Sequence, residues 1–70
     1  MKRVHVISSA MRSVGYNAKT KILEVEFPAH TIYDYIGVPL KVYKALMEAD
    51  SKGSYYNTYI KEAYPFKQIQ

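Results

Sequence analysis

The clearest pattern in the chain is an alternation of apolar and charged residues within positions 21–27. The order is Leu23, Glu24, Val25, Glu26, Phe27. A period of two residues is typical of a β-strand that has one buried and one solvated face. We therefore expect the three apolar side chains of this strand to be buried and both glutamates to be exposed.

Two further segments are predicted to pair with this strand in an antiparallel meander. Residues 11–16 form the strand before it, and the polar stretch Asn17–Thr20 supplies the tight turn between them. The turn Pro28–His30 leads into a strand that carries two tyrosines on one face. The basic segment Lys2–Ile7 is a candidate for a short edge strand. The core face of the sheet is expected to hold Val14, Leu23, Val25, Phe27 and at least one of Tyr33 and Tyr35.

The periodicity becomes helical after Gly37. Pro39 suits the first turn of a helix, where its missing N–H costs nothing. The apolar stripe that follows predicts a helix over residues 39–49 that covers the sheet. Its inward side chains are expected to be Val42, Tyr43, Leu46, Met47 and Ala49.

A second, shorter helix is predicted over residues 55–61, with Ser54 as its N-cap. Its inward side chains are expected to be Ile60, Tyr59 and one of Tyr55 and Tyr56. The helix ends before Pro65, because a residue that precedes proline disfavours helical geometry. Phe66 and Ile69 are expected to pack back as an extended tail.

The 70 residues are enough for one small domain with a single core, spanning residues 1–70. The elements predict an α+β fold: a three-stranded antiparallel β-meander, with the candidate edge strand beside it, covered by two α-helices. There is no cysteine and no apolar run near the ~20 residues that span a bilayer. The basic start lacks the long apolar region of a secretory signal. We expect a soluble cytoplasmic protein that does not enter a membrane.

Charge and aromatic content direct attention to binding. The net charge is +4, residues 1–21 carry no acidic side chain, and tyrosine occurs eight times. A basic domain rich in aromatics permits nucleic-acid binding. A surplus of lysine also serves solubility alone, so charge does not decide the question.

Catalysis and metal binding find little support in the sequence. His5 and His30 are the only histidines, and neither has an orienting partner nearby in the sequence. Glu24 and Glu26 lie two residues apart with no third ligand at a suitable spacing. We expect no enzymatic activity, no metal and no cofactor.

The tyrosines form the best candidate site. Tyr33 and Tyr35 share one sheet face and are spaced to stack on bases, although packing of one of them under the first helix is the more ordinary outcome. The segment Ser51–Ser54 precedes a predicted helix, where free N–H groups can bind a phosphate or merely receive a cap. The nucleic-acid-binding candidates are Arg3, Arg12, Tyr33, Tyr35, Lys52, Gly53, Ser54, Tyr55, Tyr56 and Lys61.

Five motifs in a fixed order carry a family resemblance. They are Val6-x-Ser8-Ser9, Ser13-Val14-Gly15-Tyr16, Tyr33-x-Tyr35 with Gly37-Val38-Pro39, Ser51-Lys52-Gly53-Ser54-Tyr55-Tyr56-Asn57, and Ile60-Lys61 with Tyr64-Pro65. Over residues 6–69 the chain resembles the KTSC domain, named for its place at the C-terminus of some lysyl-tRNA synthetases and also found as stand-alone small bacterial proteins. The resemblance implies RNA binding, by association with a tRNA enzyme. The turn Pro28–His30 departs from the glycine-rich connection expected in relatives.

These observations favour a non-catalytic module that binds RNA or another nucleic acid. The alternative is a protein-interaction module that docks a partner on the Tyr-rich helical surface or adds a strand at Lys2–Ile7. Convergence of basic side chains beside exposed tyrosines would favour nucleic acid. The basic side chains in question are those of Lys2, Arg3, Arg12, Lys52 and Lys61. An exposed tyrosine patch ringed by mixed charge would favour a protein partner.

Overall fold

The computed structural model describes all 70 residues of the chain. Its elements in chain order are β1 (Val4–His5), β2 (Ser13–Asn17), β3 (Ile22–Glu26), a 3-10 turn (Pro28–His30), β4 (Ile32–Ile36), α1 (Leu40–Glu48), α2 (Lys52–Tyr59) and β5 (Phe66–Gln68). The strands form one antiparallel sheet in the order β1-β2-β3-β4-β5. Neither α1 nor α2 has the length and apolar composition of a membrane-spanning helix.

The α+β class with two helices is confirmed, but a sheet of three strands was too small a prediction. β1 is the candidate edge strand in a shorter form, and only Val4 and His5 pair with β2. β5 is the predicted extended tail. It pairs with β4, and the Pro65 carbonyl before it accepts a hydrogen bond from the Ile36 N–H at 2.9 Å. Strands of two or three residues are too short to show a period of two in the sequence.

The register of β3 and β4 divides the sheet into two faces. Leu23 lies opposite Tyr35 and Val25 opposite Tyr33, and these side chains form the inner face, which the helices cover. Burial of the core residues was predicted correctly for Val14, Leu23, Val25 and Tyr35. Phe27 is only half-buried, because it lies beyond the end of β3 and packs edge-on against the Tyr33 and Tyr56 rings.

The opposite, outer face corrects the prediction for the two glutamates. Glu24 is only 7% exposed and Glu26 is half-buried. The N-terminal segment covers this face because Gly15 lacks a side chain: a Cβ there would lie 3.0 Å from the Lys2 carbonyl oxygen and 3.1 Å from Arg3 Cγ. The close approach lets Arg3 cross β2 and reach Glu24.

α1 begins at Leu40, one residue later than predicted. Pro39 precedes the helix with extended geometry, φ −68° and ψ 153°, and its carbonyl accepts hydrogen bonds from the N–H groups of Val42 and Tyr43. The predicted inward stripe is present. Leu46 is fully buried, and Val42, Tyr43 and Met47 pack against the core while remaining half-buried.

α2 begins three residues earlier than predicted, so the N-cap is Ser51 and not Ser54. The Ser51 Oγ accepts a hydrogen bond from the Ser54 N–H at 3.3 Å. Tyr56 and Ile60 face the core as predicted, whereas Tyr59 is 56% exposed. Tyr56 and Ile60 are four residues apart and lie on the buried face, whereas Tyr59 lies beside that face and its side chain is in solvent.

The connection Pro28–His30 is a single 3-10 turn in which Ala29 and His30 have φ values of 68° and 64°. Glycine adopts this left-handed geometry more easily than any other residue. The departure from a glycine-rich connection therefore places two ordinary residues in a conformation that favours glycine.

Candidate functional site

An aromatic pocket of about 410 Å³ opens beside the end of α2. We use the name aromatic pocket for the cavity lined by Tyr33, Tyr35, Tyr56, Lys61, Glu62 and Phe66. Its volume lies at the lower end of the range for small-molecule sites, which suits one ring system rather than an extended ligand.

Three elements bring the rings of this pocket together. The period of two in β4 places Tyr33 and Tyr35 on the inner face. Pairing of β5 with β4 sets Phe66 opposite Tyr35. Tyr56 enters from the buried side of α2. The pocket therefore depends on a contact between the centre of the chain and its C-terminal tail.

The rings divide into walls and a floor. Phe66 is 56% exposed and Tyr33 is half-buried, and their ring centroids lie 5.4 Å apart at an angle of 31°. Tyr35 and Tyr56 are buried beneath them, with centroids 5.8 Å apart and planes nearly perpendicular. The exposed walls offer aromatic faces to a planar ligand, while the floor rings belong to the core.

The floor carries a pair of hydroxyl groups. The Tyr35 and Tyr56 hydroxyls form a short hydrogen bond with each other, and neither has another partner in the protein. Burial, above all, raises the pKa of both phenols. Both groups therefore stay neutral and keep their protons, one of which forms the hydrogen bond between them.

The mouth of the pocket carries one positive and one negative side chain. After α2 the chain continues in a tight turn, in which the Lys61 N–H donates to the Tyr56 carbonyl at 2.9 Å. Lys61 and Glu62 are both exposed, and neither takes part in an ion pair. The mouth is thus of mixed charge, with an ammonium group free to contact an anion.

Four of the ten predicted site residues meet in the aromatic pocket: Tyr33, Tyr35, Tyr56 and Lys61. Arg3 is engaged on the outer face, where its Nη1 donates to Glu24 Oε2 at 2.5 Å and its Nε to Ser13 Oγ at 3.0 Å. Arg12 is exposed; the pKa of Glu26 on the outer face is lowered chiefly by the hydrogen bond from Ser13 and only slightly by the positive charge of Arg12. These two arginines do not join the pocket.

The remaining four predicted residues cap and pack α2. Lys52 Nζ donates to the Ala49 carbonyl at 3.2 Å, and Ser54 is hydrogen-bonded to Ser51. A Cβ on Gly53 would lie 2.9 Å from the Ala10 Cβ, so this glycine permits close packing of the chain against itself. Tyr55 packs against Tyr59, with ring centroids 4.7 Å apart and planes tilted by 39°. These contacts are those of a capped helix start.

Sequence reasoning missed Phe66 and Glu62. Phe66 was placed in a packed tail, and its link to the tyrosine pair depends on the β4–β5 register, which only the fold supplies. Glu62 had no signal beyond its position next to Lys61. The basic side chains do not converge beside the tyrosines, since of Lys2, Arg3, Arg12, Lys52 and Lys61 only Lys61 lies at the pocket.

The outer face holds a second polar cluster. One row across the sheet brings Glu24 opposite Asp34 and Asp34 opposite Lys67. Asp34 Oδ1 is buried and has no hydrogen-bond partner. Burial, followed by the facing Glu24 carboxyl group, raises the pKa of Asp34 to about 6. No set of three or more potential ligands is arranged to hold a metal ion here or elsewhere.

Comparison with known proteins adds a family and a fold. Residues 7–64 match the KTSC domain family. A crystal structure of a KTSC domain protein from Yersinia pestis superposes with a TM-score of 0.95 at 33% sequence identity, covering 99% of this chain and 97% of that one.

Two curated relatives show the settings in which similar sequences occur. An uncharacterized protein of Stutzerimonas stutzeri is 49% identical over 61 residues, which cover 87% of this chain and 86% of that protein. A lysine–tRNA ligase of Nostoc punctiforme is 36% identical over 61 residues, again 87% of this chain but only 11% of the ligase. The chain therefore matches most of a small protein in one case and a small part of an enzyme in the other.

Proposed function

The chain belongs to the KTSC domain family, and on that premise we propose that it is a non-catalytic module that binds single-stranded RNA by taking one unstacked base into the aromatic pocket. The observation that carries the proposal is the pocket itself: two accessible aromatic walls, Tyr33 and Phe66, beside the unpaired ammonium group of Lys61. Stacking on a protein ring is worth about 1–3 kcal/mol per base and is open to every base.

The charge distribution limits the size of the RNA contact. Of the ten Lys and Arg side chains only Arg3 forms an ion pair, so the protein attracts polyanions in general. Only Lys61 stands at the pocket, however, and it has Glu62 beside it. The proposal is therefore a contact of one base and one phosphate, not an extended basic groove. It includes a cytoplasmic location, where such RNA is present.

The relatives support an RNA ligand by context. A similar sequence makes up a small part of a lysine–tRNA ligase, an enzyme whose name includes an RNA. A domain appended to such an enzyme gains from a weak RNA contact, because two linked contacts raise the effective concentration of the second.

A titration with a short single-stranded RNA at two salt concentrations tests this proposal. Each phosphate contact on a single strand contributes about 0.7 to the slope of log K against log salt. We expect a shallow slope of about that size, and Lys61→Ala should remove most of it. Lys19→Ala is the matched control, since Lys19 is an exposed lysine in the β2–β3 turn and should change little. A steep slope that is unchanged in Lys61→Ala would contradict the proposal.

A protein partner is the second candidate, and two observations favour it. The basic side chains do not converge at the pocket, whose mouth carries the mixed charge of Lys61 and Glu62. Tyr59 is 56% exposed on α2 and packs against Tyr55, and the two rings form an aromatic patch on the helical surface that is separate from the pocket. Aromatic side chains are enriched at protein interfaces. Tyr59→Ala should leave RNA binding intact, and a loss of RNA binding in that variant would place the RNA contact on the helical surface instead.

A further inference from the structure

We propose that the Tyr35–Tyr56 hydroxyl pair recognises the Watson–Crick edge of the base, by donating one hydrogen bond to a carbonyl oxygen or ring nitrogen on that edge. The inference rests on the proposed function, because it names the atoms by which the same pocket would select its ligand. It assigns the pocket to unpaired bases and excludes paired ones.

The Tyr35–Tyr56 pair has one hydroxyl proton more than it can use within the protein. Two neutral hydroxyls hold two protons, and their mutual hydrogen bond uses one of them. The other proton has no acceptor in the protein, since neither hydroxyl has a second partner. A buried O–H that lacks an acceptor costs about as much as a lost hydrogen bond. One hydroxyl proton of the Tyr35–Tyr56 pair therefore lacks a hydrogen-bond acceptor in the protein.

The unused proton belongs to one of the two hydroxyls, and the exposure of the two residues indicates which one. Tyr35 is 1% exposed, whereas Tyr56 is 8% exposed, and both rings line the pocket. An unpartnered proton costs more in the less exposed residue, so we assign Tyr35 as the donor and Tyr56 as the acceptor. The Tyr56 proton then remains for water or a ligand in the cavity.

The size of the pocket and the position of Lys61 determine how a nucleotide would enter it. A nucleotide must leave its sugar and phosphate outside a pocket of about 410 Å³, with the phosphate near Lys61. The edge of a base that lies away from the sugar is its Watson–Crick edge, and every base has an acceptor there. That edge enters first and reaches the floor. In a duplex it is already paired, so only an unstacked and unpaired base fits.

A pair of RNA trinucleotides tests this inference. Each has one base between two abasic positions, and the base is either uracil or 2,4-difluorobenzene, which copies its shape without carbonyl groups. We expect wild-type protein to bind the uracil probe about tenfold more tightly, the usual effect of one hydrogen bond to a buried donor. In Tyr56→Phe the ratio should fall towards one, because the remaining proton then belongs to Tyr35, the less exposed of the two residues. The matched control Tyr59→Phe should keep the ratio.

Tyr35→Phe is a second variant that removes one hydroxyl from the same pair. Loss of a buried hydroxyl can affect folding, and a thermal melt of each variant measures that effect. Tyr35→Phe leaves the Tyr56 donor in place, so the ratio should remain above one. Equal binding of both probes by wild-type protein would overturn this inference and leave RNA binding standing. If single-stranded RNA itself fails to bind, the inference and the proposed function fall together.

Discussion

The two faces of the central sheet are built from the same alternation but have different coverings. On the inner face, α1 and α2 lie over Leu23, Val25 and Tyr35 and form an apolar core. On the outer face the cover is the N-terminal segment, and the buried side chains that Arg3 contacts there are polar, namely Ser13 and Glu24. The pocket belongs to the inner face, where the helical cover ends and leaves Phe66 exposed.

The difference between the two faces shows that the alternation of apolar and charged residues determines which side chains share a face. It does not determine whether that face is buried or exposed to solvent. Glu24 and Leu23 are neighbours in the same strand, and both are buried. Leu23 gains stability from packing, whereas Glu24 depends on the Arg3 guanidinium to offset its loss of water. One face is therefore held by apolar contact and the other by paired charge.

The largest expected effect is the loss of stability when a core side chain is truncated, compared with truncation of an exposed apolar side chain. Leu23→Ala should lower the free energy of unfolding by about 2–5 kcal/mol, since the side chain is fully buried. Ile36→Ala is the matched control on the outer side of β4, where the side chain is 46% exposed and less than about 1 kcal/mol is expected. Urea denaturation measures both. Equal losses would mean that the outer face is as well packed as the inner one.

A smaller effect is expected for the charge pair of the outer face. Arg3→Ala leaves the buried Glu24 carboxylate without its partner, and we expect a loss of about 1–3 kcal/mol. The added change Glu24→Gln should recover part of that loss, because it removes the uncompensated charge. Lys2→Ala serves as the control, since that side chain is exposed and unpaired. No loss in Arg3→Ala would show that solvent already compensates Glu24.

The smallest effect is a dependence on pH that comes from Asp34. Its pKa is raised from an ordinary value of 3.8 to about 6, so the folded state binds the proton more tightly than the unfolded state does. Its contribution to stability is therefore complete below about pH 4 and is lost as the pH rises through about 6. Facing groups modify this: Glu24 raises the pKa, while Lys67 and the N-terminal amine lower it.

Asp34→Asn should remove this dependence and make the protein more stable than wild type at about pH 8. Glu26 has a lowered pKa, owing chiefly to its hydrogen bond from Ser13, and its contribution is lost only at lower pH. The difference between wild type and Asp34→Asn across about pH 5–8 therefore isolates Asp34. Identical curves for the two proteins would contradict a raised pKa.

Much of the fold was predictable because long, strongly periodic segments dominate it. β3, β4 and α1 carry clear patterns, and their inward residues were assigned correctly, apart from partial burial of Phe27 and of most of the α1 stripe. β1 and β5 are too short to carry a pattern. The start of α2 was misplaced because two serines, Ser51 and Ser54, are both good caps, and only the structure shows which accepts the N–H.

The candidate site was predictable only in part, for a related reason. The alternation in β4 pairs Tyr33 with Tyr35, but Phe66 joins them through a contact between distant parts of the chain. Gly15 gave no hint that Arg3 would cross it to reach Glu24. In each case the missing information was which strand lies next to which, and local residue patterns do not contain it.

The most direct test of the central claim is an NMR titration of the protein with single-stranded RNA at low salt, followed through the aromatic ring signals. The account predicts ring-current shifts at Phe66 and Tyr33, with smaller ones at Tyr56, and none at Tyr59. Phe66→Ala should abolish them while the rest of the spectrum stays folded, because Phe66 is 56% exposed. Shifts confined to Tyr55 and Tyr59, or no shifts at all, would contradict base binding in the aromatic pocket.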